Sequence, residues 1–136
     1  MAYFLIAFFA LGSAFMTWKA SRLWRNPALV EEFMLTFAFL PFGPDVKRGE
    51  VRSVGITAVS LWAITTLIVQ ASLETEETGA SMAVFLVSMV TLLLCLLAEV
   101  AVVLFNAPKA IVPPHMRDDL GVIAARRARR RGRREA

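Results

Sequence analysis

Few side chains in this 136-residue chain have the type and spacing for chemistry. Glu99 is the most prominent, because it is the one ionisable residue inside a long apolar run, LLLCLLAEVAVVLF. A carboxylate within lipid costs about 3 kcal/mol on insertion scales, so it calls for a partner or a water path. The nearest candidates are hydrogen bonds to Thr57 or Ser60 of the preceding apolar stretch, or a reach toward Arg52 or Lys19 at its edge. A structural contact of that kind, or one to another copy or subunit, is the simpler reading of an intramembrane polar residue. A proton or ion pathway is the alternative, and no lysine, arginine or histidine within a span stands beside Glu99 to strengthen it.

The remaining candidates are weaker. Cys95 is the single cysteine, so it makes no intramolecular disulfide and reads as a small apolar packing residue. His115 follows Pro113 and Pro114 with no second histidine or acidic pair at ligand spacing, which makes it a linker residue rather than a metal ligand. The chain holds no glycine-rich phosphate loop, nucleophile elbow or His–carboxylate pair. The expectation is therefore a non-enzymatic protein with no catalytic residue, no cofactor and no metal.

A second kind of chemistry is electrostatic. Arg126, Arg127, Arg129, Arg130, Arg131, Arg133 and Arg134 crowd the C-terminal tail. Anionic headgroups attract each nearby basic side chain by roughly 1 kcal/mol, so all seven are candidate lipid-headgroup contacts. A plain topogenic signal on a solvated tail is the simpler version of the same idea. A protein partner ranks second. Nucleic acid ranks a distant third, because the run has no interleaved aromatics for stacking and no recognisable binding fold.

The elements that must carry these residues are apolar. Hydrophobic residues make up 57% of the chain and charged ones 19%, too little polar sequence to cover a soluble domain of this size. The apolar residues come in long blocks rather than alternation, which points to an all-α membrane protein with three transmembrane helices, at about residues 2–18, 53–73 and 80–105. The first block is preceded by no charge and followed by Lys19, Arg22 and Arg25. That is the reverse of a cleaved leader, and it predicts a retained anchor with its N-terminus outside. Between the first two blocks, Asn26 and Pro27 suit a helix start, while Pro41, Gly43 and Pro44 close the segment. It is too short to cross. Residues 27–40 read as a short amphipathic helix in the cytosolic interface, with Leu29, Val30, Phe33, Phe37 and Leu40 on one face. A dip into the membrane and back is the runner-up.

Orientation follows from the cations. With the segments placed outside, inside, outside, inside, all fifteen lysines and arginines fall in cytosolic segments, and the outer connection carries Glu74, Glu76 and Glu77. Asn106 and Pro108 end the third span, and Asp118 or Asp119 is placed to cap a short helix from about Leu120. The chain then divides into a membrane domain, residues 1–115, and an arginine-rich cytosolic tail, residues 116–136.

These features favour an accessory or scaffold protein of the cytoplasmic membrane that binds lipids and either another membrane protein or its own copies. Ala7, Ala10, Gly12, Ser13 and Ala14 give the first span small faces for close packing. Three spans, an outer N-terminus, small size and a basic tail also give a layout that resembles three-helix phage holins. That resemblance is one of topology, and it implies an oligomeric pore-former. A small transporter or ion-pathway subunit centred on Glu99 is the third alternative.

Overall fold

The computed structural model describes residues 1–72 and 78–135. Five α-helices follow in order: α1 (Ala2–Arg25), α2 (Leu29–Thr36), α3 (Pro44–Ser72), α4 (Gly79–Phe105) and α5 (Val122–Glu135). Short 3-10 turns at Phe37–Phe39, Lys109–Ile111 and Pro114–Met116 punctuate the connections. No strand occurs among the described residues. Three of the helices, α1, α3 and α4, are long and apolar enough to cross a membrane. At 1.5 Å rise per residue they reach about 36, 43 and 40 Å, so each exceeds a ~30 Å hydrocarbon core.

The helices run further than their apolar blocks. The second block begins near Ser53, yet α3 starts at Pro44 and carries Lys47, Arg48 and Arg52 within its first turns. Pro44 has no amide hydrogen to lose at a helix start, and Asp45 sits near the positive end of the helix dipole. Charge prevents a segment from lying in hydrocarbon; it does not prevent a helix. α1 likewise continues through Lys19 and Arg22 to Arg25, placing basic side chains near its negative end. At the other end of the layer, Thr78 and Ser81 form a reciprocal capping box that starts α4. The expected outer connection, with Glu74, Glu76 and Glu77, lies outside the described residues.

α3 is the central helix, packed on one side by α1 and on the other by α4. Both neighbours are antiparallel to it. Along α3 and α4 the paired positions run Gly49 with Val103, Ser53 with Glu99, and Gln70 with Ser81. The α1 seam is fixed by hydroxyls: Ser13 Oγ lies 3.0 Å from Thr65 Oγ1, and Trp62 Nε1 donates to Thr17 Oγ1 at 3.0 Å. Lipid offers such groups no alternative partner, so each short polar contact helps to set register.

The buried core is not spread evenly through this layer. It gathers where α1, α2, α3, α4 and the segment after α4 converge, around Leu23, Phe33, Val51, Val54, Val102 and Met116. α2 differs from the face expected for it. Val30 and Phe33, assigned by the pattern to lipid, are buried against protein, while Leu35, Phe39 and Phe42 are exposed. A short amphipathic helix buries its apolar stripe on the nearest greasy surface, and here that surface is Leu23 and α3.

Candidate functional site

The charged end of the layer is built from the C-terminus of α4 outward. Asn106 follows the last turn with φ 54 and ψ 46, a left-handed conformation that asparagine tolerates better than most residues. Its backbone N–H bonds to Val102 O, and its side-chain amide reaches the carbonyls of Met116, Arg117 and Asp119 at 3.2, 3.1 and 2.7 Å. An amide has two hydrogens, so three acceptors share them, with the shortest contact to Asp119 O. Asn106 thus ends α4 and folds the following segment back beneath it. Gly121 completes that fold, because a Cβ there would run into the backbone of Leu104 and Phe105.

The returning segment delivers Asp119 to α3. Arg48 grips its carboxylate with two nitrogens, Nε at 2.7 Å and Nη2 at 3.2 Å. Arg52 is 1% exposed, with one nitrogen 3.7 Å from the same carboxylate. It donates to Leu120 O at 3.0 Å and to Val103 O at 3.4 Å. Val103 O is one of the carbonyls that α4 leaves unpaired at its C-terminus, so a cation here also meets the negative end of a helix dipole. The expected roles shift accordingly. Asp119 does not cap the tail helix, which begins later at Val122, and Arg52 turns to Asp119 rather than to Glu99. Two cations one helical turn apart on α3, Arg48 and Arg52, hold that carboxylate instead.

Glu99 meets hydroxyls instead. Its Oε1 lies 3.4 Å from both Ser53 Oγ and Thr57 Oγ1. Each hydroxyl has one hydrogen and is also within reach of a carbonyl of its own helix, Glu50 O at 3.0 Å and Ser53 O at 3.3 Å. Glu99 is therefore held by long, shared hydrogen bonds. Thr57 is a contact the spacing anticipates; Ser60, the other candidate, bonds to Ile56 O of its own helix. Cys95 is a free thiol in the buried core. His115 has a buried Nε2 without a hydrogen bond, and no group of His, Cys, Asp or Glu able to hold a metal occurs among the described residues.

The tail arginines form one helix, α5, with two unlike faces. Arg129 turns back to α3 and donates to Asp45 at 2.9 Å, and Val122 is buried on the same side. Arg127, Arg130, Arg131 and Arg134 share the opposite face by their spacing and carry no ion pair among the described residues. Nearer α2, Lys19 pairs with Glu32 at 2.9 Å and lies 5.0 Å from the Phe33 ring, while Arg22 stacks 5.0 Å from Trp18. The Lys19 ammonium holds the Glu32 carboxyl below its ordinary value by hydrogen bond first and charge second.

Compared with known proteins, the chain matches no family model, no curated protein and no solved structure. What its residues assemble is a cation-rich end on an apolar three-helix layer, with the Glu99 carboxylate set between two of the helices. Sequence patterns flagged Glu99 and the arginines because hydropathy and charge are local properties. They gave Arg52, Asp119 and Asn106 separate roles, a reach toward Glu99, a helix cap and a helix end, and only the last of these matches the structure.

Proposed function

We propose that this is a small non-enzymatic accessory or scaffold protein of the cytoplasmic membrane, with its N-terminus outside and its basic tail in the cytosol. The observation that carries the reading is the clustering of cations. Every lysine and arginine lies toward the C-terminal end of α1, the N-terminal end of α3, or after α4, which in an antiparallel layer is the same end. Positive side chains are retained on the cytosolic face, and none is available to hold the opposite one. At that end Leu35, Phe39 and Phe42 project beside Lys47 and provide the apolar contacts of an interfacial segment.

The docking half of the reading is supported by the openness of the layer. With α3 in the middle, α1 presents Phe4, Phe8, Leu11 and Phe15 outward, and α4 presents Phe85, Leu93, Leu97 and Val100. Ala7 and Ala14 are exposed on α1, and a Cβ added at Gly12 meets nothing, so a second helix has room for close approach there. Crosslinking in the native membrane followed by affinity purification tests this. The expected result is one membrane protein, or further copies of this chain, recovered in fixed ratio and lost when Ala14 is replaced by Leu. Recovery of lipid alone would overturn it. Sustained growth under induced expression is expected, and an abrupt, timed collapse of respiration would move the protein to the oligomeric pore-formers.

The second reading, an ion-pathway subunit, draws on the loose hold on Glu99, whose contacts are shared hydroxyls and not a cation. Glu99→Gln keeps the side chain's shape. Unchanged assembly and unchanged proton flux across proteoliposomes are expected; intact assembly with flux abolished would replace the scaffold reading.

A further inference from the structure

The two faces of α5 meet different surroundings, and the difference selects a ligand. The inward face is already occupied: Val122 is buried and Arg129 is paired with Asp45. The outward face forms one wall of a groove of about 510 Å³, whose other wall is the end of α4. Leu104, Phe105 and Ile123 line its apolar part, and Arg127 and Arg131 stand at its rim. A second hollow of about 190 Å³ adjoins it, lined wholly by arginine, with Arg127 and Arg131 shared and Arg130 and Arg134 added. Among the described residues none of these four arginines has a carboxylate partner, whereas Arg129 has one. The apolar wall belongs to the last turn of a helix long and apolar enough to span a bilayer, and a crossing by α4 brings that turn to the headgroup side of the hydrocarbon.

We propose that this groove is a site for an anionic phospholipid, held with an acyl chain along Leu104, Phe105 and Ile123 and its phosphate among Arg127 and Arg131. The inference rests on the orientation given above, and it narrows a general attraction to one face of one helix. Charge complementarity picks the occupant. Four unpaired guanidinium groups beside an apolar slot repel a basic partner, and a zwitterionic lipid gains little from them. Guanidinium groups bind phosphate oxygens in pairs, which a diffuse surface attraction does not require. The adjoining hollow, lined by arginine alone, also suits a headgroup with two phosphates over one with a single phosphate.

Two variants of equal charge test it in the full-length protein. Arg127→Gln with Arg131→Gln removes two cations from the groove face; Arg126→Gln with Arg133→Gln removes two from elsewhere on α5. Binding is measured on vesicles of phosphatidylcholine doped with phosphatidylglycerol, with diphosphatidylglycerol, or with neither, and inorganic phosphate serves as competitor. The groove-face pair is expected to weaken binding to the anionic vesicles by about 30-fold, and the other pair by less than about 3-fold. Ile123→Asn, which changes no charge, is expected to weaken binding too, and inorganic phosphate is expected to compete poorly. Equal losses from the two arginine pairs would overturn the groove while leaving a basic tail on an anionic leaflet. No loss from either pair would overturn both.

Discussion

Arg52 shows how a single residue settles the local energetics. A buried guanidinium is tolerable only with acceptors and a counter-charge around it, and here they are Leu120 O and Val103 O with the Asp119 carboxylate 3.7 Å away. By contrast, the exposed pair of Arg129 with Asp45 contributes only about 0–1 kcal/mol, as surface pairs do. Asp119→Ala is therefore expected to destabilise the protein by about 3 kcal/mol, because it removes the carboxylate nearest the buried Arg52. Arg129→Gln is expected to change stability by less than about 1 kcal/mol. Thermal unfolding in detergent micelles, followed by circular dichroism, checks both.

Among the helices, the closest approach is made by Gly49 of α3. A Cβ there would lie 2.9 Å from a Val103 methyl and 3.2 Å from Val103 Cα, so α4 would have to move. Gly49→Ala is expected to cost about 1–3 kcal/mol, the usual range for overpacking. Gly12→Ala is expected to cost nothing, since a methyl there meets no atom and glycine is the poorer helix former. The α1–α2 contact adds a pH dependence. Because Lys19 lowers the Glu32 carboxyl in the folded state, the pair contributes stability above the ordinary glutamate range and loses it as pH falls through the lowered value. Glu32 is fully exposed, so salt weakens the effect. The difference in melting temperature between Lys19→Gln and the parent is expected to vanish in acid and to shrink at high ionic strength.

For the whole molecule, the decisive quantity is the asymmetry of charge between the two ends of the layer. Removal of residues 126–136 takes away seven of the fifteen cations. Binding to anionic vesicles is expected to weaken and to lose much of its salt dependence, while insertion persists, because eight cations still flank the spans on the same side. A reporter fused after Ala136 is expected to be active only in the cytosol. Activity outside would reverse the orientation and with it the lipid assignment.

Three spans were legible at about residues 2–18, 53–73 and 80–105 because hydropathy is summed over neighbours in sequence, and lipid leaves the backbone no option but a helix. The helices α1, α3 and α4 cover those stretches over the described residues, with residue 73 outside them, and α1 and α3 extend past the first two at their charged ends. Glu99 was legible for the same reason. The returning segment was not. Arg52 meets Leu120 across 68 positions, and Arg48 meets Asp119 across 71. Contacts at such separations leave no periodic trace in sequence, and they depend on the left-handed turn at Asn106 that carries the chain back beneath α4. Composition decided which three stretches are apolar enough for lipid and which of their ends carry the cations. Packing decided which of those cations are consumed inside the fold and which remain free on the outer face of α5.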